Sequence, residues 1–137
     1  MCFEKSIIKF LLVISLSVST SLSVYANDVE IVKVVLTKHT GTWRADVTLK
    51  HADEGWKHYA DGWRLVDADG NEIGMRTLYH PHVKEQPFTR SLRDFQIPAK
   101  TKILFVEAHD LKHGWSANKV RIDMTKKSGA KYTVNYR

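Results

Sequence analysis

Six of the seven histidines, His51, His58, His80, His82, His109 and His113, fall in three short stretches, 51–61, 80–87 and 109–117. Imidazole is the commonest side chain for metal binding and for proton transfer near neutral pH, so these stretches carry the candidate chemistry. In LYHPHVKEQPFTR, residues 78–90, His80 and His82 flank Pro81. Side chains at i and i+2 of an extended segment face the same way, ~6.6 Å apart along the chain. With metal–nitrogen bonds of about 2.0–2.1 Å, two such rings can reach one ion. Taken alone, His-Pro-His reads equally as a polar turn. Its partners strengthen the metal reading: His109 and His113 span a loop containing Gly114, and His51 and His58 lie in the first stretch. His80, His82, His109 and His113 are the first choice of ligands, with His51 and His58 second.

Asp61, Glu85, Glu107 and Asp110 lie in or beside the same stretches. Each could ligate an ion or hold a histidine's second nitrogen. The alternative for each is an ion pair with Arg64, Lys84, Arg90 or Lys112, and at least two are expected to take it. Trp56 and Trp115 accompany the histidines and could wall a bound ligand. Trp56, together with Tyr59 and Trp63, could instead cap the core.

The only cysteine, Cys2, is near the N-terminus, and Met75 and Met124 fall outside the three stretches. A site here must therefore use nitrogen and oxygen, which suits a divalent Cu, Zn, Ni or Fe ion without choosing among them. A histidine-bound metal activating water, or a histidine–aspartate pair acting as general base, would make the protein an enzyme. No nucleophile elbow, zinc-protease helix or phosphate loop is present, so binding ranks ahead of turnover.

The N-terminus reads as an export signal. Lys5 and Lys9 precede the apolar run Phe10–Val18, and Val24-Tyr25-Ala26 is an acceptable cleavage site. Residues 1–26 are thus expected to be removed, leaving a 27–137 domain that is periplasmic or secreted and has no membrane span. The apolar run is shorter than the ~20 residues of a spanning helix. Without Cys2 the mature domain has no thiol, which excludes disulfides and cysteine nucleophiles. The net charge of +6 for the whole chain is dispersed. Lys126-Lys127 is the one adjacent pair in the mature domain, so a nucleic-acid groove is not indicated. A metal ion or a protein of the cell envelope is the expected partner.

The elements that must position these groups are strands. Trp43, Ala45, Val47 and Leu49 alternate with Arg44, Asp46, Thr48 and Lys50, the period of a strand with one dry face. Similar alternation marks Val120–Met124 and Tyr132–Tyr136, while Ile103–Ala108 is apolar but for Glu107. The pattern predicts strands near 29–38, 42–50, 62–67, 72–79, 88–94, 101–109, 118–124 and 130–136. Gly41, Gly70 and Pro98 punctuate them. Seven or eight short strands at this spacing predict an all-β, antiparallel, immunoglobulin-like sandwich, with a small barrel as competitor. Strand parity then puts the loops 51–61, 80–87 and 109–117 at one end of the domain, a usual place for function.

The phrases HADEGWKHYADGWRLVDADGNEIG, LYHPHVKEQPFTRSL and IPAKTKILFVEAHDLKHGW resemble those of a group of small exported bacterial β-sandwich proteins of uncharacterised function. The resemblance covers roughly 51–115 and implies an exported single-domain protein, with little about activity. A looser likeness to the superoxide reductase sandwich, which gathers several histidines and one cysteine around iron, stops at the cysteine. That reaction is not carried over.

Overall fold

A computed structural model describes residues 28–137. The expected signal segment and its cleavage site lie outside the described residues. Nine strands form in chain order: β1 (Glu30–Lys38), β2 (Trp43–Lys50), β3 (Ala60–Asp67), β4 (Glu72–Thr77), β5 (Phe88–Phe95), β6 (Ile103–Asp110), β7 (Gly114–Trp115), β8 (Val120–Asp123) and β9 (Tyr132–Tyr136). No helix is assigned among the described residues. Eight of the nine are the strands that the alternation predicts. The addition is β7, two residues long and too short to show a period.

The strands make two sheets, one in the order β5-β2-β1-β9 and the other running β4-β3-β6, with β7 and β8 both paired to β6. Pairing is antiparallel except between β1 and β9, which run parallel. The all-antiparallel expectation fails there for a local reason. After β8 the chain folds back along β9, with Ser128 bridging Thr133 and the Val134 amide bonded to the Lys127 carbonyl at 2.8 Å. This adds a reversal that no apolar alternation records.

Both sheets turn their apolar rows into one core. In β2, Trp43, Ala45, Val47 and Leu49 are buried and their neighbours are not, as the period-two pattern requires. Trp63, Leu65, Leu104, Val106 and Ile122 supply the matching row from the second sheet. Trp63 is fully buried, whereas Trp56 is 69% exposed and caps nothing. Tight turns close the end opposite the three histidine loops. His39 and Thr42 exchange backbone hydrogen bonds around Gly41, at φ +81°, and Gly70 turns at φ +83°. Both values lie where glycine is favoured.

Gly74 on β4 lies close against β5 of the other sheet. A Cβ there would lie 2.7 Å from Leu92 Cδ2 and 3.7 Å from the Phe95 ring, both on β5. Gly74→Ala is expected to cost about 1–3 kcal/mol by overpacking, measured by urea unfolding. Adding Leu92→Ala should make the double variant less unstable than the two single losses predict.

Candidate metal centre

Strand alternation builds the site from below. Along β6, Leu104, Val106, Ala108 and Asp110 face inward, so the last inward position of a core strand is a carboxylate that is 1% exposed. A buried charge must be paired or hydrogen-bonded. The amides of Lys112 and His113 donate to Asp110 Oδ1 at 2.9 and 2.8 Å. His113 Nδ1 lies 3.1 Å from the same oxygen. Burial alone would raise the Asp110 pKa, but the amides of His113 and Lys112 and the charges of His113 and His51 outweigh it. The carboxyl is held below its usual range.

The 51–59 loop delivers two histidines to this carboxylate. Gly55, at φ +102°, turns the chain, and the His58 amide bonds the Gly55 carbonyl at 3.2 Å. This carries the His58 ring inward, to 4% residue exposure. His58 Nε2 stands 3.3 Å from Asp110 Oδ1, and Nδ1 stands 3.5 Å from Glu54 Oε2. Neither buried ring nitrogen makes a hydrogen bond of good geometry. His51, also 4% exposed, sets its ring 4.9 Å from that of His58, and His113 sets its own at 5.1 Å on another side. Ligand atoms of His51, His58 and Asp110 lie within 4.8 Å of one another. Around an ion with bonds of about 2.0–2.1 Å, tetrahedral ligands stand about 3.4 Å apart, so modest side-chain rotation would close the trio.

Asp53 organises the two histidine-bearing loops. Its Oδ1 accepts from His51 Nδ1 at 2.6 Å and from the Ala60 amide at 3.0 Å, while Oδ2 accepts from the His82 amide at 2.7 Å. Asp53 thus holds the Nδ1 side of the His51 ring, the kind of carboxylate contact common behind metal-ligating histidines. Sequence reading passed over Asp53, although His51-Ala52-Asp53 has the same i, i+2 spacing that singled out His80 and His82. Gln86 adds a second tie, accepting the His51 amide and donating to the His82 carbonyl, both at 3.0 Å. The three loops therefore meet at one end of the protein.

Of the first-choice ligands, none is in the trio. His80 and His82 do share a side, with ring centroids 4.6 Å apart. His82, however, is stacked on Phe88 at 3.9 Å, and Arg90 Nη2 lies 2.8 Å from its Nε2. Burial, then the charges of Arg90 and His80, lower the His82 pKa, so the ring is neutral at neutral pH. Nε2 then accepts from Arg90, and Nδ1 holds the proton without a partner in a buried position.

His109 and His113, expected to act together, are separated by the β6 pleat. His113 joins Asp110, while His109 points to the outer face, where its Nδ1 lies 2.5 Å from Asp61 Oδ1. Its ring meets Trp115 edge-on at 4.9 Å. Trp115 is covered by the Arg64 guanidinium, 3.9 Å from the ring centroid, whereas Trp56 contacts Tyr59 edge-on at 6.1 Å. Among the acids, Glu85 pairs with Arg90 and Glu107 with Arg64, while Asp61 and Asp110 take up histidine nitrogens.

The protein is thus an all-β, two-sheet domain with a buried histidine–aspartate cluster at one end of its core. It is similar to a protein of Halomicrobium mukohataei described as "Putative lipoprotein", at 38% identity over 88 residues, 64% of this chain and 42% of the relative. The chain therefore spans less than half of that relative's length. No family model and no solved structure matches it.

Glu107 anchors the outer face beside His109. It is 4% exposed, with Lys119 Nζ 2.5 Å from Oε1 and Arg64 Nη2 2.8 Å from Oε2. Burial pushes its pKa up, but Lys119 and Arg64 overcome this and hold it below the usual glutamate range. A depressed folded-state pKa contributes stability above the unfolded value, and that contribution disappears as pH falls through the folded one. Glu107→Gln is expected to lose about 1–3 kcal/mol at pH 7. The gap to the parent should narrow on acidification below about pH 4.5, the usual range of the carboxyl, as followed by urea midpoints across pH.

Proposed function

We propose that this is an exported protein, periplasmic or secreted, whose 27–137 domain is an immunoglobulin-like sandwich that binds one divalent transition metal ion. His51, His58 and Asp110 are the ligands, and His113 is the fourth group that can turn toward the ion. The observation that carries this reading is His58. Both of its buried ring nitrogens lack a hydrogen bond of good geometry, with carboxylate oxygens only at 3.3 and 3.5 Å, and an ion beside Asp110 would take up this unmet capacity. The depressed pKa of Asp110 supports the same reading, since it keeps a hard anionic ligand ready. The set of two or three imidazoles and a carboxylate suits Zn, Cu, Ni or Fe. Export is supported by the basic-then-apolar N-terminus and by the name of the Halomicrobium relative.

The reading is of a binding or carrier protein rather than an enzyme. Asp53 and the loop amides spend their hydrogen bonds on fixing the histidine loops. A second reading, an envelope interaction module without metal, takes support from the same bonds. Asp53 draws all its donors from the protein, so His51 and His82 can serve as loop anchors alone.

Equilibrium dialysis against Zn(II) or Cu(II), read by elemental analysis, separates the two. The metal reading expects one equivalent retained by the parent and by His80→Gln, and loss of retention in His58→Ala and in Asp110→Asn. Ion at a hundredfold excess over Kd should raise stability by about 2.7 kcal/mol in the parent and not in those two variants. Retention well below one equivalent by the parent would leave the interaction module as the function.

A further inference from the structure

The tips of the three histidine loops share a feature that metal binding does not use. Each presents a large apolar side chain followed at once by a lysine: Trp56-Lys57, Val83-Lys84 and Leu111-Lys112. The apolar members are 69%, 56% and 46% exposed. Tyr79, beside the second tip, is 75% exposed. None of the three lysines has a side-chain partner among the described residues. The acids of the same loops are turned to other partners, Glu54 toward His58 and Glu85 toward Arg90.

The tips are held at one end by backbone ties. Asp53 binds the His82 amide, and the Leu111 amide bonds the Tyr59 carbonyl at 3.2 Å. Three exposed apolar groups, each followed in sequence by a lysine without an ion pair and carried on loops tied together at one end, match a particular kind of surface. A bilayer interface takes tryptophan, tyrosine and aliphatic tips at headgroup depth. Anionic headgroups attract the lysines. A protein partner would not require every apolar tip to carry its own unpaired lysine.

We infer that this rim is a docking surface for an anionic lipid bilayer, with Trp56, Val83 and Leu111 entering the interface and Lys57, Lys84 and Lys112 meeting phosphate. The inference does not rest on metal binding.

The test is flotation of the protein with phosphatidylcholine vesicles, with and without phosphatidylglycerol. The parent should bind only the anionic vesicles and be released by salt. Each lysine contributes roughly fivefold near such a surface, so the triple variant K57Q/K84Q/K112Q should bind about a hundredfold more weakly. Trp56→Ser should also weaken binding, and an emission blue shift on vesicle binding, present in the parent, should shrink in this variant. The protein used is the exported form beginning at Asn27, so the apolar run Phe10–Val18 takes no part in vesicle binding. The substitutions lie at exposed tips, and an unchanged thermal midpoint confirms that the fold survives. Equal binding of the parent and the triple variant, equal binding to both vesicle types, or failure of the parent to bind would overturn the inference. Association with a soluble envelope protein without vesicle binding would do the same.

Discussion

A carboxylate removed from water must be surrounded by donors or it will not remain ionised inside a protein, and the histidine end is built around that requirement. Asp53 collects the His51 ring and the amides of Ala60 and His82. Asp110 collects two amides and the His113 ring. The first carboxylate ties the 51–59 loop to the 78–87 loop, and the second closes the turn between β6 and β7. Loops usually lie on the surface because their backbone groups need water. Here two buried carboxyl groups substitute for that water, and so the loops can pack inward and bring His51 and His58 with them.

The sheet is what makes this arrangement affordable in geometric terms. Each β6 residue falls alternately on the core face or the outer face, so Asp110 and His109, adjacent in sequence, serve different environments. Asp110 lies where the apolar row ends and loop amides begin. His109 lies beside Asp61, Trp115 and the Arg64–Glu107 pair on the outer surface. A one-residue change of register would exchange the two, putting an imidazole at the core's end and a carboxylate outside. The pairing Gly62↔His109, just beyond the irregularity at Ala60/Gly62, fixes that register.

This also explains what could be read from the sequence. Eight strands were legible because alternation is repeated over several residues, as in Trp43–Lys50, and because Gly41 and Gly70 mark turns between them. The gathering of three loops at one end followed from counting reversals. Which histidines cluster with Asp110 did not, because that depends on where each strand stops. Taking β6 to end at His109 makes His109 and His113 loop neighbours, whereas one more residue of strand puts Asp110 in the core and turns His109 away. His80 and His82 were conspicuous by spacing, but nothing local in LYHPHVKEQPFTR reveals that Phe88 would stack on His82 and Arg90 occupy its Nε2. Asp53 was hidden for the opposite reason: a carboxylate between His51 and His58 looks like an ordinary polar loop residue until its burial is known.

The orphaned imidazole of His58 is then the residue that makes the end of the core more than a set of loop ties. Asp53 and Asp110 are each satisfied by protein donors, and His82 gives up one nitrogen to Arg90. For loop anchoring alone, His58 is a poor choice beside an apolar residue of similar volume, because its buried nitrogens are desolvated and meet carboxylates only at 3.3 and 3.5 Å, without a well-formed hydrogen bond. Its position beside an ionised carboxylate and between two further imidazoles reverses that judgement for a cation. In the metal reading, each group that is costly to bury alone would become a ligand, with Asp53 holding the His51 ring in place from its Nδ1 side. On that reading, stability without an ion and affinity for one would be opposed at His58, the usual relation between a fold and the site it carries.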